Sequence, residues 1–330
     1  MLIAALAIGL GCGSASGEPV KLRLAWIVTP PELEPVLFEK PGLAKHLGTS
    51  YTVEPVHFQG TSAMITGLAA GEIDIAPLAY PSFAIAIINA KMNDLRIIGD
   101  EFRDGVGDYF SAEYLVRKGA PIKSVEDLRG KVLATNGIGT ANHIGMIAIL
   151  NIHHLAPQKD FTVIEAPLPS MKAMLMNEKV DLIGTSPLLA SDPELRAASR
   201  VLYTEKDSMG ASQMTFFTAR ASFLAQHRAA IVDFMEDEVN ALRWYLDPAN
   251  RAEAIAILAR FSKMPPERLD NWVFTKRDYY RDPNGMPDLD ILQKNLDTEL
   301  ELGLIGEKIE VKKYGDLSIV REAVQRLPQR

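Results

Sequence analysis

The sequence predicts an α/β protein of two lobes, each a mixed, mostly parallel sheet flanked by helices, hinged by two crossing strands. Three observations lead there. Gly60 to Ala76, GTSAMITGLAAGEIDIA, returns in altered form at Pro169 to Ser186, with Met64, Leu68, Ile73 and Asp74 falling on Met171, Leu175, Val180 and Asp181 at a constant offset of 107 residues. Leu22 to Trp26, LRLAW, is echoed by KVLAT from Lys131 at an offset of 109. The chain has 330 residues, more than the roughly 250 to 300 at which a single core stops growing.

The elements follow in order. Val20 to Trp26 is a short buried strand, and the Pro-rich ThrProProGluLeuGluPro after it lacks the amides a ladder needs. A helical stretch then runs to His46. Tyr51 to Phe58 alternates as a strand, Thr61 to Ala70 is a helix with Gly71 as its C-cap, and Ile73 to Ala76 is the next strand, completing a βαβ unit. Tyr80 to Ala90 is a helix with Pro81 in its first turn, Leu95 to Gly99 a strand, and Tyr109 to Arg117 another. The capping box at Ser124 to Asp127 comes next, and a lobe boundary fits there.

The order is then replayed. Lys131 to Thr135 is a strand, Gly139 opens a helix to about Leu155, and Phe161 to Glu165 is a strand; Ser170 to Glu178 is a helix and Val180 to Gly184 a strand. Val201 to Thr204 and Gln213 to Ala219 are strands, the latter read as the return crossing. Beyond it the chain is helical: Ser222 caps a helix to Leu246, and Pro248, Pro265-Pro266 and Pro287 start others. The expected organisation is a signal segment over 1–17, the first part of lobe 1 over 18–117, lobe 2 over 118–212, and the rest of lobe 1 over 213–330.

Apolar residues make up 47% and charged residues 23%, an ordinary globular balance. With a net charge of −7 and no basic stripe, nucleic acid is not an expected partner. Residues 1–17 carry no charge and pass from an apolar run to small residues, as in an export signal cleaved ahead of Glu18. Cys12, the only cysteine, follows Gly11 in a way that suggests a lipid anchor and leaves the mature chain without disulfide or thiolate chemistry.

In open α/β sheets ligands sit beyond the carboxyl ends of strands, facing helix N-termini. The loops so placed are Trp26 to Pro30, Gln59 to Ser62, Pro77 to Ser82, Asn136 to His143, Leu168 to Ser170 and Thr185 to Pro187. Gly60-Thr61 and Gly139-Thr140 stand out, because Gly allows backbone approach and Thr adds a hydroxyl; an N-cap without ligand is the alternative at each. Trp26 and Tyr80 lie at strand ends, as cleft walls or as core, whereas Trp244 and Trp272 are read as core. His143, one turn into its helix, is a neutral donor candidate. His153 and His154 point to different helix faces and make poor joint metal ligands. GIGT has no following Lys, so it is not a phosphate loop. With no nucleophile elbow, zinc spacing or paired carboxylate motif, no catalytic residue, metal or cofactor is expected.

Leu22–Trp26, Phe58–Ala86, Ile122–His143, Met174–Pro187 and the tail Leu302–Ala323 together resemble the periplasmic solute-binding proteins of ABC importers, in the nitrate, sulfonate and taurine group that includes thiamine-precursor binders. The resemblance covers most of the mature chain. It implies the type II periplasmic-binding-protein fold, a cleft ligand and hinge closure, a periplasmic monomer, and delivery to an inner-membrane permease with its ATPase. Ligand contacts would fall on Trp26, Gln59, Gly60, Thr61, Ser62, Tyr80, Ser82, Asn136, Gly139, Thr140, His143 and Ser186. Two departures bear on the ligand: TrpIleVal replaces the usual polar residue after the first strand, and VDLIGTSP lacks the aromatic residue of many relatives. The expected ligand is a small organic anion, a sulfonate or carboxylate. The alternatives are a pyrimidine or thiamine-precursor binder, an enzyme of the same fold, and a sensing module; the synthases of this fold carry a cysteine-rich motif that this chain lacks.

Overall fold

A computed structural model describes residues 18–30 and 32–328. The expected signal and lipid-anchor features, Cys12 included, lie outside the described residues. Among the described residues, ten strands form two sheets. They are β1 (Val20–Trp26), β2 (Tyr51–His57), β3 (Ile75–Ala79), β4 (Leu95–Asp104), β5 (Glu113–Arg117), β6 (Val132–Thr135), β7 (Thr162–Glu165), β8 (Leu182–Gly184), β9 (Ser199–Thr204) and β10 (Ser212–Arg220). The first sheet runs β2-β1-β3-β10-β4 and the second β7-β6-β8-β5-β9. In each, three parallel strands from βαβ units are followed by an antiparallel strand that the chain contributes on crossing between lobes.

The sequence echo has a structural counterpart. Asp74 accepts the Arg23 amide at 2.9 Å while its own amide donates to the Arg23 carbonyl at 2.9 Å. Asp181 does the same with Val132, at 3.1 and 2.7 Å. Each aspartate thus ties the start of one strand to its parallel neighbour, β3 to β1 and β8 to β6. Met64, Leu68, Met171 and Leu175, one pair per copy, are buried behind these sheets.

Three expectations are corrected. The strand at Glu113–Arg117 pairs with β8 and β9, so it belongs to the second lobe, and the crossings lie at 104–113 and 204–212. The helical stretch before His46 shrinks to Glu34–Leu37, because Pro41 and the left-handed Gly42, at φ 83°, interrupt it. Ser222 is not a cap: the long helix Ala221–Leu246 starts behind Arg220 and is kinked at His227. This helix and Ser318–Arg326 pack together under the first sheet. Trp272 is fully buried in a separate apolar cluster with Trp244 at its edge.

Candidate functional site

The helix Thr61–Ala70 begins at Gly60 and the helix Ala141–Ile152 at Thr140, and these two N-termini meet across the cleft. A Cβ placed on Gly60 would come within 3.1 Å of Thr140 Cγ2, so the lobes are in van der Waals contact here. The first helix has no side-chain cap, whereas Thr140 Oγ1 accepts the His143 amide at 3.4 Å. Ser82, fully buried, donates from Oγ to the Gly139 carbonyl at 3.0 Å and takes a 2.7 Å hydrogen bond from Thr61 Oγ1. Gly139 adopts φ 77°, a left-handed turn that side chains disfavour, and this turn presents its carbonyl to Ser82.

Behind this contact the lobes together line a cavity of about 80 Å³. Lobe 1 lines it with Ile27, Val28, Glu32, Thr61, Ala79, Phe102, Met214, Thr215 and Tyr279, and lobe 2 with Asn136, Thr140, Ala141, Asn142, Leu168, Thr185 and Ser186. Among the described residues no Lys, Arg or His lines it. Phe102 and Tyr279 stack with centroids 4.5 Å apart and form a flat wall. Ser186 starts a short helix without capping it, and the Thr215 hydroxyl is buried beside Glu101. Glu32 accepts the Ile27 amide, while burial and the neighbouring Glu34 push its carboxyl well above the usual range.

A groove of about 380 Å³ adjoins the cavity through Ile27, Val28 and Leu168. Trp26 and Gln59 lie in this outer groove, the Trp26 ring 4.7 Å from that of His57 and 6.3 Å from that of Phe261. Of the residues singled out from sequence, Thr61, Asn136, Thr140 and Ser186 line the cavity itself. Gly60, Ser62, Ser82 and Gly139 make the lobe contact beside it. Tyr80 is in the core, its Oη donating to Glu205 Oε1 at 3.1 Å from lobe 1 to the segment that returns from lobe 2. His143 turns away from the cavity; its Nδ1 accepts the Gly139 amide at 3.2 Å, and burial lowers its pKa, so it is a neutral imidazole.

Sequence reasoning missed Glu32, Phe102, Met214, Thr215 and Tyr279. The last four come from β4, β10 and an irregular C-terminal segment, none of which carries a strand-end signal. No paired carboxylate motif is visible in the sequence, yet the fold brings Glu32, Glu34 and Glu101 together.

The sequence model of the NMT1-like family matches residues 15–259. No curated protein matches the chain significantly. Among solved structures, the alkanesulfonate-binding protein SsuA from Xanthomonas axonopodis pv. citri, bound to MOPS, is similar at 19% identity, covering 91% of this chain and 99% of its own, with a TM-score of 0.70. The periplasmic nitrate-binding protein NrtA from Synechocystis PCC 6803 is similar at 18% identity, 94% and 89% coverage and a TM-score of 0.70. The desulfurization enzyme DSZB matches at 13% identity, 93% and 99% coverage and a TM-score of 0.65. At these identities the likeness is one of fold: two mixed sheets flanked by helices, the type II periplasmic-binding-protein architecture.

Proposed function

The chain belongs to the NMT1-like family, and from that premise we propose that it is the extracytoplasmic solute-binding component of an ABC importer. It captures a small organic anion, a sulfonate or carboxylate, between its lobes and hands it to a membrane permease with its ATPase. The observation that carries this reading is the convergence of two helix N-termini, at Thr61 and Ala141, on one cavity between the lobes. Their first-turn amides and the aligned peptide dipoles favour negative charge without any cationic side chain. Burial raises the Glu32 carboxyl at the cavity wall, which disfavours the ionised form that would repel an anion. The names of the alkanesulfonate-binding and nitrate-binding relatives fit this class of solute.

A binding role is favoured over catalysis because, among the described residues, no histidine, lysine or cysteine lines the cavity beside its hydroxyls, and His143 is not part of the wall. Export to the periplasm follows from the same role. A second reading is favoured by the stacked Phe102–Tyr279 wall and the amides of Asn136 and Asn142, which suit a flat heterocycle such as a pyrimidine or thiamine precursor. A thermal-shift panel of alkanesulfonates, carboxylates, nitrate and pyrimidines separates the two. A solute at 100 times its dissociation constant adds about 2.7 kcal/mol of stability. Stabilisation by anions alone supports the first reading, stabilisation by pyrimidines alone the second, and turnover of any candidate would sink both.

A further inference from the structure

The cavity at the two helix N-termini is small. A water-sized group needs about 10–15 Å³ of such space, so about 80 Å³ takes an anionic headgroup and little more. Pockets for whole organic ligands run to roughly 300–1,000 Å³. The groove that shares Ile27, Val28 and Leu168 with the cavity supplies the difference, at about 380 Å³. Both lobes build it: lobe 1 gives Trp26, Phe58 and Phe261, and lobe 2 gives Pro167, Leu168 and Pro169. The Trp26 ring meets those of His57 and Phe261 edge to face, at interplanar angles of 66° and 69°, which makes an aromatic corner. Among the described residues no Asp, Glu, Lys or Arg lines the groove, so nothing there pairs with a second charge on a solute.

A separate group points to a ligand in the same place. Thr29 lines the groove and is only 6% exposed, yet its hydroxyl has no hydrogen-bond partner among the described residues. Buried side-chain polar atoms are partnered in the large majority of cases, and an orphan hydroxyl in a binding groove is one that a ligand completes. We propose that the solute is an aromatic organic anion whose charged head lies at the N-termini of Thr61–Ala70 and Ala141–Ile152 and whose uncharged ring fills the groove, a polar ring substituent meeting the Thr29 hydroxyl. This deepens the anion reading above and rests on it. The ring gains from the apolar area it removes from water and from edge and face contacts with Trp26 and Phe261. An ammonium tail would instead lose its water and find no carboxylate. An inorganic oxyanion would fill the cavity and leave the groove empty. Because the groove takes walls from both lobes, a seated ring also favours the arrangement in which they meet.

The test is calorimetric titration of the protein with methanesulfonate, taurine, benzenesulfonate and the ring isomers of hydroxybenzenesulfonate. Benzenesulfonate is expected to bind about tenfold or more tightly than methanesulfonate or taurine. One hydroxylated isomer should gain about a further threefold, and Thr29→Val should remove that gain while benzenesulfonate binds as before. Phe261→Ala, with its far-ultraviolet circular dichroism retained, should weaken benzenesulfonate about fivefold or more and leave methanesulfonate unchanged. Equal affinity for methanesulfonate and benzenesulfonate, tighter binding of taurine, or equal weakening of both sulfonates by Phe261→Ala overturns the proposal and leaves the anion reading standing. A hydroxyl gain that is missing, or that survives Thr29→Val, removes Thr29 from it. Failure of every anion to bind overturns both readings.

Discussion

Gly60 sits where the lobes touch, and its extended φ of −171° is open to any residue, so a substitution there acts through space alone. Gly60→Val places carbon atoms against Thr140 and props the cleft open. Solute affinity is expected to fall at least tenfold, about 1.4 kcal/mol, with the melting temperature of the free protein unchanged. Equal affinity in the variant would mean that the contact is not part of the bound state. A different residue governs pH. Glu299 lies buried in the helix Leu289–Glu301 with Oε1 unpartnered, and burial pushes its carboxyl up to about 8. The folded state therefore holds this proton more tightly than the unfolded chain does. Its contribution to stability is whole below about pH 4.5 and is lost as pH rises through about 8, by roughly 1.4 kcal/mol per unit. Urea midpoints measured from pH 5 to pH 9 should decline in the wild type and stay flatter in Glu299→Gln; parallel curves would assign the decline to other groups.

At the scale of elements, the Asp74 and Asp181 clamps repeat one device with unequal strength. Asp74 also takes Arg23 Nε at 2.9 Å and Nη2 at 2.6 Å, in a pair whose arginine is one third exposed, while Asp181 serves the Val132 amide alone. Asp74→Ala should cost roughly 2 kcal/mol and Asp181→Ala roughly 1 in denaturant unfolding, since charge-assisted bonds are the stronger ones. The reverse order would show that the ion pair contributes nothing beyond the backbone bond. These clamps explain why the echo was legible: helix, C-cap Gly71 and strand are local features, set by residues close in sequence. Strand partners are not local. YFSAEYLVR reads as a strand wherever it goes, and only its pairing with β8 and β9 assigns β5 to the second lobe. The site divides the same way. Thr61, Asn136, Thr140 and Ser186 follow parallel strands and could be found, whereas Phe102, Met214 and Thr215 lie on crossing strands and Tyr279 in a segment with no period. Glu32 sits in a Pro-rich loop whose course over the cavity no local pattern in the sequence sets.

For the whole molecule, two hydrogen bonds join the lobes across the cleft, Ser82 to Gly139 and Tyr80 to Glu205. Tyr80 touches no part of the cavity, so Tyr80→Phe weakens the latch without altering a solute contact. Solute affinity is expected to drop several-fold, with a larger radius of gyration for the free protein in solution scattering. An unchanged radius together with unchanged affinity would assign Tyr80 to packing alone. Ser212, the first residue of β10, pairs with Asp104, the last of β4. The chain thus leaves the first lobe and returns to it on the same rung. The second lobe is in effect a cassette spliced into an antiparallel hairpin. A two-residue turn joining Asp104 to Ser212 would close that hairpin and excise the cassette, leaving the first sheet with all five strands. By the same splice, a cassette from a relative could be grafted on, re-targeting the half of the cavity wall that lobe 2 supplies while the other half stays in place.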